Sequence, residues 1–146
     1  MLGIPSETPE TIKTTVKALA KLKPTLIRMT IFDPFYGTPL YDYCARHNLF
    51  KLDANQHSNH FTGSRLVFDK LTDEDIITTQ MLFPWILNLE LGLAEYERLI
   101  ERFKNKNRED IIAADKNLSE QLSLANRGHF RYFSGNSFYF EYYPGG

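Results

Sequence analysis

Cysteine occurs once in the 146 residues, at Cys44. A disulfide within the chain is therefore excluded, as is any metal or iron–sulfur site built from several cysteines of this chain. Excess charge is also lacking. The 17 Lys and Arg nearly balance the 18 Asp and Glu, for a formal net charge of −1. That balance supplies no electrostatic reason for a polyanion partner, so no nucleic-acid partner is expected. No apolar run approaches the roughly 20 residues of a membrane helix, and no membrane partner is expected. The N-terminus has no basic stretch leading into an apolar core, so no signal peptide is expected and the expected location is cytoplasmic. Glycine is sparse, with 8 residues. No Gly-Lys-Ser/Thr triplet occurs, which removes a phosphate loop from consideration. There is no internal repeat and no low-complexity tract.

What is present fits one domain, or part of one, on the usual scale of roughly 100–200 residues. Hydrophobic residues make up 42% and charged residues 24%, ordinary values for a soluble globular chain. Aromatics reach 14%, with 8 Tyr and 11 Phe. Many lie near the C-terminus, where the physical reading is core or interface packing.

Met1 and Leu2 read as the end of a buried strand, and Gly3–Thr8 as the turn after it. Thr8-Pro9-Glu10 opens a helix: Thr8 serves as N-cap, Pro9 sits where no N–H is needed, and Glu10 suits the positive helix end. Ile12, Val16, Leu19 and Ala20 form its apolar face, and Pro24 stops it. Thr25–Phe32 reads as a strand with Ile27, Met29 and Ile31 on an apolar face. Its other face carries Arg28 and Thr30, which point into a barrel or, in a plain amphipathic strand, into solvent. Asp33–Gly37 is a turn-rich loop. Thr38-Pro39 repeats the N-cap-plus-Pro pattern and opens a short helix, with Asn48 as a left-handed cap. Arg65–Phe68 reads as a short strand. Thr72–Asp75 reads as a capping-box-like start for a helix running to about Lys104, kinked or broken between Gln80 and Pro84. Its apolar content implies packing on both sides, with Trp85 and Leu89 buried. A further helix is expected over 109–125, and a β-hairpin over 130–142.

Two segments together resemble a known family. Gly3-Ile4-Pro5-Ser6-Glu7-Thr8 resembles the G-x-P-G-E-T segment of radical S-adenosylmethionine (SAM) enzymes, especially those with a cobalamin-binding domain. Further on, Pro34-Phe35-Tyr36-Gly37-Thr38-Pro39-Leu40-Tyr41 resembles the P-Y-P-G-T-x-L-Y after their next strand. The resemblance covers residues 1–48, is loose over 65–104 and is absent over 105–146. Ser6 stands where the family has Gly, and Tyr36 where it has Pro.

The resemblance implies a partial (β/α) barrel; with the elements read downstream, the expected fold is α/β, a C-terminal fragment of that barrel followed by a helical extension and a C-terminal β-hairpin. The corresponding segments are 1–48 (end of the barrel), 49–70 (irregular connector), 71–128 (helical extension) and 129–146 (hairpin tail). It implies SAM and a [4Fe–4S] cluster in the intact parent enzyme, with cobalamin in the cobalamin-binding class. The family's cluster sits on a C-x-x-x-C-x-x-C loop that this chain lacks, so no cofactor is expected on this chain alone. The expectation is a non-catalytic fragment contributing part of the SAM pocket and the substrate side. The alternative is a truncated or degenerate product acting as a non-enzymatic binding module.

By the same resemblance, cofactor-binding residues are Gly3, Pro5, Ser6, Glu7, Thr8, Ile31, Phe32 and Pro34. Glu7 accepts from a ribose hydroxyl or the SAM ammonium, or else braces the loop. The expected partner is the missing N-terminal half of the radical SAM domain, or a second copy. Without neighbours the Thr25–Phe32 strand has an open edge, to be filled by Arg65–Phe68, by the hairpin or by another copy. Asp53, His57 and His60, with His47 nearby, are metal-capable types, but Ser58, Asn59 and Gly63 oppose a helix there. A solvated polar loop and no metal site are expected. Lys104–Arg108 reads as a solvated basic link.

Overall fold

The computed structural model describes residues 1–52, 63–89, 93–107, 109–111, 113–114, 128–134 and 137–144. The named elements are α1 (Pro9–Leu22), β1 (Leu26–Arg28), α2 (Pro39–Arg46), α3 (Asp73–Leu89), α4 (Leu93–Phe103), β2 (Gly128–Ser134) and β3 (Ser137–Tyr142). The fold is α/β in the general sense, with helices packed against a small antiparallel sheet of order β1-β3-β2.

Helix α1 begins as its residues dictate. Thr8 and Thr11 form a reciprocal capping box, and Pro9 occupies the first turn. Ile12, Val16 and Ala20 are buried along one stripe, and Lys23 ends the helix in the left-handed conformation. Helix α2 starts on Thr38, whose hydroxyl accepts from the Tyr41 amide, with Pro39 in the first turn, and Asn48 beyond the helix takes a φ of +52°. Thr72 and Asp75 exchange hydrogen bonds ahead of α3.

The extended segment after α1 departs from expectation. Regular strand covers only Leu26–Arg28, which pairs antiparallel with β3 through Leu26↔Tyr139, Ile27↔Phe138 and Arg28↔Ser137. Farther along, Ile31 bridges Leu2 in parallel: the Leu2 amide donates to Thr30 O at 2.8 Å, and the Phe32 amide to Leu2 O at 2.7 Å. The two ends of one segment thus have different partners. Between them the Met29 carbonyl accepts from the Gln80 side chain of α3 at 2.8 Å. Ile27, Met29 and Ile31 are buried as their alternation requires, and Arg28 is exposed, the solvated alternative. The hairpin, not Arg65–Phe68, covers β1. Residues 65–68 hold no regular strand; Leu66 instead bridges Phe50 antiparallel.

A single helix from Asp73 to Lys104 does not occur. Helix α3 runs through Pro84 to Leu89, and α4 begins at Leu93; Gly92, between them, lies outside the described residues. Proline in a helix interior costs about 3 kcal/mol. Leu82, Phe83, Trp85 and Leu87 around Pro84 are all at most 1% exposed, and this burial holds the helix together. Trp85 and Leu89 are buried, as their setting in an apolar run implies. Helix α3 contacts α1, α4 and β2, which makes it the centre of the molecule. The hairpin starts at Gly128, whose amide donates to the buried Asn88 side chain at 2.9 Å. Of the helix expected over 109–125, residues 109–111 and 113–114 are helical and the rest lie outside the described residues. No described helix is long and apolar enough to cross a membrane.

Candidate functional site

The Gly3–Thr8 loop follows the Leu2 strand end and leads into α1. Its turn is closed by the Glu7 amide donating to Ile4 O at 3.0 Å. Pro5 and Ser6 are the central residues, and Ser6 has a φ of +65°. This is the pattern of a type II turn, with proline first and a left-handed residue second. Glycine is the least costly residue at that second place, so Ser6 holds a conformation that disfavours any side chain. Gly3 has a φ of +76°. A Cβ there would lie 3.5 Å from Phe68 and Ile76, an ordinary contact, so the backbone angle and not crowding calls for glycine.

Glu7 is 6% exposed, and its carboxylate accepts the Gly3 amide. Burial pushes its pKa up, while the Gly3 and Ile4 amides partly oppose the rise. Of the roles open to Glu7, bracing the loop is the one this contact performs. Thr8 caps α1: its hydroxyl accepts from the Thr11 amide at 3.3 Å, and its amide donates to the Thr11 hydroxyl at 2.9 Å.

Ser6, Glu7 and Thr8 line a cleft of about 270 Å³ whose other wall is Val67, Phe68, Asp69 and Lys70. The fold therefore gathers one group of the expected residues at a cavity. The other group lies elsewhere. Ile31 is 1% exposed and backs Gly3 from the core. Phe32 packs with Cys44 and Leu66. Pro34 is buried and its carbonyl accepts from Arg65 Nη2 at 2.7 Å. The side chains of Ile31, Phe32 and Pro34 do not line the cleft. Sequence reasoning missed the 67–70 wall, because nothing local to Val67–Lys70 indicates which strand end it will cover.

The second matched segment forms the turn into α2. Gly37 has a φ of +79°, and Tyr36 is 88% exposed with its ring edge-on to Tyr41 at 5.2 Å. Cys44 is fully buried, and burial raises its pKa, so it stays a thiol. Among the described residues no group of three His, Cys, Asp or Glu could hold a metal ion. Asp53, His57 and His60 lie outside the described residues, and His47 is exposed.

No protein-family model matches the chain, and no curated protein or solved structure matches it either.

Proposed function

We propose that this chain is the later part of a radical SAM catalytic domain. It supplies one wall of the SAM pocket and the substrate side of the site, and is not catalytic alone. The observation that carries this reading is the Gly3–Thr8 loop. It emerges from the Leu2 strand end, which pairs in parallel with Ile31 across α1, and it opens on a cleft beside the α1 N-terminus. Ligands of α/β folds bind beyond the carboxyl ends of parallel strands, where loop amides and helix N-termini meet them. In finer terms, Leu2 and Thr30–Phe32 stand for two neighbouring strands of a partial (β/α) barrel.

The chain's residues do not fit a [4Fe–4S] cluster. Three thiolates are required, and the single cysteine is a buried neutral thiol. Any cluster chemistry belongs to a partner segment, the N-terminal half of the domain.

Titrating SAM into the ¹⁵N-labelled chain tests the reading. Half a pocket should bind with a Kd of about 1 mM, with the largest amide shifts at residues 3–8 and 65–70. A spectrum that SAM leaves unchanged at saturating concentration would overturn it. A second reading, a non-enzymatic binding module, draws on the hairpin: β3 pairs with β1, and one apolar core runs from Leu2 to Phe140. A cooperatively unfolding monomer that ignores both SAM and a co-expressed upstream half would favour that alternative.

A further inference from the structure

The side chains of Ile31, Phe32 and Pro34, cofactor-binding residues by the resemblance, are buried, and residues 65–68 pack against them. Arg65 Nε donates to Asp33 Oδ1 at 2.5 Å, and its Nη2 to Pro34 O at 2.7 Å. Leu66, 1% exposed, fills the cluster with Phe32 and Cys44. Phe68 reaches over Gly3 and bridges that cluster and the main core. The segment is fastened at its start: the Lys51 amide donates to Arg65 O at 2.9 Å, the Val67 amide to Leu49 O at 2.7 Å, and Lys51 Nζ to Ser64 O at 2.7 Å. Past its far end Leu71 is buried in the main core and Lys51 also pairs with Asp73, so the segment is tethered at both ends and exposed between. Val67 is 52% exposed, and Asp69 and Lys70 are exposed. An aromatic ring and a leucine thus occupy the apolar strand-end surface, held by a partly buried ion pair and a few backbone hydrogen bonds.

We propose that residues 65–70 are a strap that closes the strand-end site in the free chain and gives way when an adenosyl ligand binds. This rests on the reading above. A purine ring offers the same planar apolar surface as the Phe68 ring, so the two compete for one place. A ligand shifts such an equilibrium only by its preference for the open state. Loosening the strap therefore raises apparent affinity by the factor that closure had removed.

The test is 5′-deoxyadenosine titrated into the full chain and into Arg65→Ala, with amide exchange at Val67 followed in parallel. Phe68→Ala serves as a second variant that keeps the Arg65 contacts. The expected result is affinity about tenfold higher in both variants. Faster Val67 exchange is expected in Arg65→Ala without ligand and in the wild type with ligand. Equal affinity in all three proteins overturns the strap and leaves the binding reading standing. Weaker binding in both variants also overturns it, because residues 65–70 then hold the ligand and do not compete with it. No binding by any of the three removes both the strap and the reading beneath it.

Discussion

Helices α1 and α3 both serve the same extended segment, residues 25–32, and they are held in opposite ways. Of the 14 residues of α1, Ile12, Val16 and Ala20 are buried and Leu19 packs beside them, and polar contacts fix its ends: a capping box, a left-handed cap and the braced loop ahead of it. Helix α3 has 17 residues, 12 of them buried, including Thr78, Thr79, Gln80 and Asn88. Three of these polar side chains link α3 to a neighbour. Gln80 takes the Met29 carbonyl, Asn88 takes the Gly128 amide, and Thr79 pairs with the Tyr96 phenol at 2.6 Å. Burial drives the Tyr96 pKa up to about 12 despite that hydrogen bond, with Asp75, Glu7 and Glu97 adding to the rise. Core packing places the central helix, whereas the outer one relies more on end chemistry, and the Gly3–Thr8 loop leads into the outer one.

The sharpest break in that contrast is Trp85→Ala. Trp85 is 1% exposed and meets the Phe130 ring edge-on at 4.9 Å. Its truncation should cost about 3–5 kcal/mol, read by urea denaturation. A loss below about 1 kcal/mol would mean that α3 does not centre the core. Gln80→Ala comes next. It removes the hydrogen bond from the Gln80 side chain to the Met29 carbonyl, and the net loss of one such bond costs about 0.5–1.5 kcal/mol. An unchanged midpoint would mean that water replaces the side chain.

On the α1 side the effects are smaller and one has the opposite sign. Ser6→Gly relieves a φ of +65° and should stabilise by about 0.5–1 kcal/mol, relief of left-handed strain outweighing added chain entropy. A destabilised variant would show that the turn is not strained in solution. The smallest effect is expected for Glu7→Gln, which keeps an acceptor for the Gly3 amide and removes the charge. Burial raises the Glu7 pKa above its ordinary 4.5, so the folded chain holds that proton more tightly than the unfolded one. Wild-type stability from this group is complete below the unfolded value and is lost as pH rises through the folded pKa. The variant should match the wild type at about pH 4 and gain on it as pH rises further. A pH-independent difference in denaturation midpoints would contradict the shift.

Local signals were legible where they act over a few residues. Thr8-Pro9, Thr38-Pro39, Asn48 and Thr72–Asp75 all mark helix ends as their chemistry predicts. The alternation of Ile27, Met29 and Ile31 foretold their burial. Pro84 does not break α3, because its local cost is set against packing that the sequence does not display. The segment 25–32 departs from expectation in another way: a run of alternating residues does not say which neighbours it will have. The site was half legible. Gly3 and Ser6 sit at positive φ in a turn that a Gly-x-Pro-x-Glu run announces, but the facing wall comes from residues more than 50 positions away in the sequence.

Composition and short-range pattern by themselves determined that this chain carries a single thiol, begins with a strand end, a turn and a capped helix, and ends in a hairpin. These follow from hydrogen bonds and dihedral preferences within a turn or two, which neighbours in sequence can satisfy. Tertiary structure alone decided that β3 pairs with β1, that α3 passes unbroken through a proline, and that residues 65–70 lie over the strand ends. Each depends on burying apolar surface against a distant partner. That driving force is non-directional and leaves no local mark in the sequence.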